Sequence, residues 1–110
     1  MARAWKPRLG WEDEEALPSG VTLSGIIQSL SGRAAIVRQG DPVIPWVSRV
    51  AQAVFERMKA DVDGDEAWIQ RADASYNAIV EEAEVTAERW RSEGREDLVR
   101  RLSLLLKVSL

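Results

Sequence analysis

Glu81 and Glu84 stand three residues apart in a stretch of helical pattern, the spacing at which a helix offers two carboxylates to one metal ion. Di-iron bundles of that kind need Glu-x-x-His, and the chain contains no histidine. It contains no cysteine either. Those two absences remove the usual activating base, the thiolate nucleophile and the ligands of structural zinc. The run Asp61-Val62-Asp63-Gly64-Asp65 has the acids of a calcium loop, but its glycine falls one position too early and no spaced ligands follow. It is read as a loop and helix start, whose acids at a helix N-terminus favour capping and the helix dipole. No serine lies in G-x-S-x-G, and neither a Walker loop nor G-x-G-x-x-G occurs. A two-carboxylate hydrolase remains formally open from the surplus of Asp and Glu, although no pair is singled out. The expectation is a non-enzymatic protein with no catalytic residues, no cofactor and no metal.

The chemistry the residues do favour is contact. Five of the seven aromatic residues are tryptophan, and twelve of the fifteen basic residues are arginine. Tryptophan anchors cores and interfaces, and arginine makes planar forks to phosphate and carboxylate. The net charge of −3 is segregated. Residues 1–11 carry +3, 12–15 carry −4, 33–59 carry +3, 60–88 carry −8 and 89–110 carry +3. Arg49, Arg57 and Lys59 in one helical pattern, and Arg100 and Arg101 in another, are the residues assigned to a face that contacts nucleic-acid backbone. A pI near 5.0 argues against a freestanding DNA binder and for a subunit that shows nucleic acid one basic face.

The elements that position these residues follow from periodicity. Residues 1–18, punctuated by Pro7, Gly10 and Pro18, form no period and read as an extended N-terminal arm. Residues 19–110 read as one helical bundle domain. Leu23, Ile26, Ile27 and Leu30 predict a helix over 22–30, with Thr22 or Ser19 as cap and Gly32 as stop. Residues 34–37 read as a short helix or an irregular turn. Asp41-Pro42 and Pro45 open the next helix, where Val47, Val50, Ala51, Val54 and Met58 make one stripe. Trp46 projects about 110° from that stripe at 100° per residue. Ile69, Ala72, Tyr76, Ile79, Ala83, Thr86 and Trp90 then give a seam of alternating threes and fours, which predicts a long helix over 66–92 and an antiparallel partner within the domain. Gly94 breaks it. A final helix from Glu96 carries Leu98, Val99, Leu102, Leu105 and Leu106 on its main face, with Glu96→Arg100 and Asp97→Arg101 as i,i+4 pairs. Period-two alternation over 101–110 leaves a terminal strand as the alternative. Trp68 and Trp90 are assigned to the core. Trp5, Trp11 and Trp46, with the second apolar row Leu104 and Val108, are assigned to a protein interface.

The fold class expected is all-α, a four- to five-helix bundle with one long central helix and the N-terminal arm. A chain of 110 residues supports one core. No segment approaches the ~20 apolar residues that span a bilayer, and the absence of cysteine fits a reducing compartment, so a cytoplasmic protein without membrane contact is expected. In size, helical pattern and Arg-bearing helices, residues 20–110 resemble the small subunits of multi-subunit CRISPR effector complexes. That resemblance implies a non-enzymatic subunit of a nucleoprotein assembly, packed on neighbouring subunits and touching RNA or single-stranded DNA, with self-association as a further option. The acidic segment departs from a uniformly basic pattern. The alternative is a stand-alone phage or plasmid adaptor or inhibitor that binds a protein partner through Trp and acidic patches.

Overall fold

The computed structural model describes Leu17 and residues 19–110. The predicted arm over residues 1–18, with its interface candidates Trp5 and Trp11, lies outside the described residues apart from Leu17. The expected all-α bundle is found, with four helices: α1 (Leu23–Arg33), α2 (Ile44–Asp63), α3 (Glu66–Ser92) and α4 (Glu96–Leu106). The described residues contain no strand, so 101–110 completes α4 and then leaves the helix.

The starts of α1, α2 and α3 each have a local cause. Thr22 stays extended, and its hydroxyl accepts the Gly25 N–H at 3.1 Å to cap α1. Asp41 accepts the Val43 N–H at 2.9 Å just ahead of α2, and Pro45 sits in the first turn, where no N–H is required. Asp65 caps α3 by accepting the Trp68 N–H at 3.2 Å. The predicted stop at Gly32 is overrun by one residue, because Ala34 N–H still reaches the Leu30 carbonyl. Residues 34–37 are irregular, with Ala35 at φ 58°. Asp61, Val62 and Asp63 belong to the end of α2. The chain reverses only at Gly64, whose φ of 72° suits glycine.

The short reversal at Gly64 and Asp65 folds α2 and α3 into a hairpin. Cross-helix partners prove its direction: Arg49 meets Glu82 and Arg57 meets Asp73, so one helix runs down as the other runs up. The predicted seam lies at this contact and the one with α4, with Ala72, Ile79, Ala83 and Trp90 buried and Tyr76 and Thr86 half-buried. Its small residues let the helices approach closely. α3 is thus the long central helix, about 40 Å at 1.5 Å per residue, with α2 and α4 both packed on it. α1 closes the bundle against α2.

The core joins Val43, Trp46, Val47 and Val50 from α2 and its entry with Ile79, Ala83 and Trp90 from α3 and Leu98, Leu102, Leu105 and Leu106 from α4. Burying each of those leucines stabilises the fold by roughly 1.5–3 kcal/mol relative to exposure. Trp46 corrects the interface assignment: it is 9 % exposed and belongs to this core. The reason is that α2 is wrapped by α1, α3 and α4, so it buries far more than one stripe. Arg49 completes the enclosure, with its guanidinium 5.1 Å from the Trp46 ring centroid.

Candidate docking groove

The five cations assigned to a nucleic-acid face do not share one. Arg49 forks onto Glu82 with bonds of 3.0 and 2.9 Å, and that pairing raises the guanidinium's pKa while lowering the carboxyl's. Arg57 donates to Asp73 at 2.9 Å and also pairs with Asp61 one turn along α2. Glu82 and Asp73 are nine residues apart, half a turn round α3 at 100° per residue, so Arg49 and Arg57 grip opposite flanks of that helix. Lys59 is 3 % exposed, with Nζ 3.2 Å from Glu56 and 5.0 Å from the Phe55 ring centroid. Burial pushes its pKa down, against the pull of Glu56. Lys59 is an interior residue, which corrects its placement on a binding face.

Arg101 is also a structural clamp. Its guanidinium donates to the Ala34 carbonyl at 2.8 Å and to the Asp41 carboxylate. It thereby ties α4 to the irregular segment between α1 and α2. Burial acts to raise the Asp41 pKa, but the Val43 N–H and the Arg101 guanidinium outweigh it and hold the carboxyl below its usual value. The predicted Asp97→Arg101 pair is therefore replaced. Asp97 instead takes a fork from Arg95 at 3.0 and 2.8 Å, which draws its pKa down to about 2. Glu96 faces Arg91 at 3.6 Å rather than Arg100. Asp97 takes its cation from the residue that opens α4, and Glu96 from Arg91, which the chain reversal at Gly94 brings back beside the start of α4.

Arg100 is different. It is exposed and carries no ion pair among the described residues. It lines a groove of about 670 Å³ together with Arg33, Arg91, Lys107, Leu104 and Val108. This one site unites a predicted nucleic-acid residue, Arg100, with both predicted interface residues, Leu104 and Val108. Val108 is half-buried against the core, while Leu104 is 51 % exposed.

The groove is held in shape by main-chain acceptors at the end of α4. The last turn of a helix leaves carbonyls without intrahelical partners. Here Arg33 from the end of α1 donates to the Leu105 carbonyl at 2.8 Å, and the Tyr76 hydroxyl from α3 donates to that of Leu106 at 3.0 Å. Lys107 turns left-handed at φ 58° and ends the helix. Arg91 donates to the main-chain oxygen of Leu110, while the Leu110 N–H donates to the Ser103 hydroxyl at 3.3 Å. Three helices thus converge where four cations and the Glu96 carboxylate surround an aliphatic floor. The sequence places Arg33 in a different cluster, about seventy residues from Lys107. Only the docking of α1 on α4 brings the two together, and no local signal reports it.

Two further grooves flank the α2–α3 contact. One, of about 610 Å³, includes Arg49, Glu56, Trp68 and Arg71. The other, of about 460 Å³, includes Arg57, Asp73 and Tyr76. Both are mixed in charge. The described residues contain no cluster of three or more His, Cys, Asp or Glu able to hold a metal ion, and no helix among them is long and apolar enough to cross a membrane. No protein-family model, curated protein or solved structure matches the chain.

Proposed function

We propose that the chain is a non-enzymatic helical subunit of a larger assembly that docks on a neighbouring protein through the α4 groove. One observation carries the reading: Arg100, Leu104 and Lys107 stand exposed together on one surface, while Arg49, Arg57, Lys59 and Arg101 are engaged within the bundle. Interfaces combine apolar anchors with a polar rim that sets orientation, and this groove has both. A second reading, contact with an RNA or single-stranded DNA backbone as a nucleoprotein subunit would make, is favoured by Arg100 and Lys107, which stand exposed at that groove beside the engaged Arg33 and Arg91. Among the described residues the groove has no aromatic side chain on which bases would stack, so those residues favour contact with the backbone.

Co-expression with the proteins of neighbouring genes tests both readings. Tagged wild-type chain should purify with a stoichiometric partner, and Arg100→Glu/Leu104→Asp should purify without it. An absorbance ratio well above that of protein alone, falling as salt is raised, supports the backbone contact. Retention of the same partner by the variant contradicts the docking site.

A further inference from the structure

α4 carries Arg100 and Leu104 and Lys107 follows as its C-cap residue, while α3 carries Glu81, Val85 and Glu88; both sets run at intervals of four and three residues. All six are exposed. Val85 (71 %) and Leu104 (51 %) are among the large aliphatic residues most open to solvent, and each sits between its two charges. None of the four charged residues has an ion-pair partner among the described residues. Glu81, Val85 and Glu88 lie on the side of α3 opposite its buried row of Ala72, Ile79, Ala83 and Trp90, so that side is unoccupied by the described bundle.

From this match we infer that the occupant of the α4 surface is the α3 outer face of a second copy of the chain. With the two helices side by side in the same direction, Arg100 meets Glu81, Leu104 meets Val85 and Lys107 meets Glu88. In each stripe the two charges are seven residues apart in sequence, which on α3 is about 10.5 Å along the helix. Pairing α3 with α3 would set carboxylate against carboxylate, and pairing α4 with α4 would set cation against cation. Like charges face to face suppress both symmetric arrangements. The remaining contact joins two different surfaces, so a pair of copies keeps one free stripe of each kind, one on each copy, and further copies can add. Exposed ion pairs contribute little individually, so the contact is weak in isolation and strongly salt-dependent. This inference rests on the docking reading of the α4 surface and names its partner.

Sedimentation velocity on the full chain over a concentration series tests it. The Debye length is about 30 Å at 0.01 M salt and about 3 Å at 1 M, so the wild type should associate increasingly with concentration at the first and revert to monomer at the second. Glu81→Lys/Glu88→Lys makes both stripes basic, and Arg100→Glu/Lys107→Glu makes both acidic. Each variant alone should stay monomeric while keeping wild-type helicity by circular dichroism. Mixed one to one, they should associate again, because each stripe then meets its opposite on the other variant. A wild type that is monomeric throughout, a single variant that still associates, or a mixture that does not recover would each overturn the inference. If the wild type stays monomeric while Arg100→Glu/Leu104→Asp still loses a co-purifying neighbour, self-association falls and the docking surface stands.

Discussion

Arg101 and Asp41 show how one residue's role depends on what the fold brings to it. Sixty positions separate them in sequence, yet Arg101 supplies the cation that Asp41 needs, and Asp41 also caps the entry to α2. The Asp41 carboxyl titrates below its ordinary value, so the folded state favours the charged form. That stabilisation is present above the unfolded-state pKa of about 3.9 and is lost as pH falls through the lower folded value. Asp41→Asn should therefore reduce stability at neutral pH and flatten its decline in acid, as read by chemical denaturation from pH 7 to pH 2. Arg101→Ala leaves a carboxylate only 6 % exposed without its cation and should cost about 3 kcal/mol at neutral pH. Equal pH slopes for wild type and Asp41→Asn would remove Asp41 from the account. The placement of Arg101 and Lys59 on a binding face was not correctable from sequence. Their type and spacing match those of exposed cations, and only the tertiary partners Ala34, Asp41 and Phe55 tell them apart.

At the scale of elements, the hairpin of α2 and α3 is the most securely written part of the chain. The three-and-four seam from Ile69 to Trp90 predicts a helix over 66–92, and α3 occupies Glu66–Ser92. Its start depends on one capping carboxylate. Asp65→Ala removes the acceptor for the Trp68 N–H and should cost about 1 kcal/mol. A loss of that size lowers the melting temperature by roughly 4–8 °C in a domain of this class. A change within error would mean the cap contributes nothing and packing alone sets the helix start. Trp46 was misread at this same scale. A single-stripe reading suits a helix with one neighbour, whereas α2 has three, and its off-axis row of Trp46, Val50 and Ala53 is covered as well. The end of α1 was misread for a related reason: Gly32 lowers helix propensity but does not stop a helix whose next N–H still finds its carbonyl.

Over the whole molecule, charge is sorted by position. Arg49 and Arg57 of α2 are matched to carboxylates on the flanks of α3, while among the described residues Glu81, Glu84 and Glu88 on its outer face and Arg100 and Lys107 at the α4 groove form no ion pair. The segregation of charge along the sequence foretells acidic and basic regions, but not which ions are spent internally. That depends on which elements become neighbours. A docking surface in the groove needs Leu104 to be exposed in the free chain and covered in the assembly. The absence of cysteine makes this directly measurable. Leu104→Cys introduces a single thiol in the groove, and Ser75→Cys introduces one at the α2–α3 groove as a control. Alkylation rates are then compared for the dilute free chain and for the assembled state. The thiol at position 104 should be labelled rapidly in the free chain and be strongly protected on assembly, while the thiol at position 75 should react alike in both. Undiminished labelling at position 104 in the assembled state would contradict the docking surface.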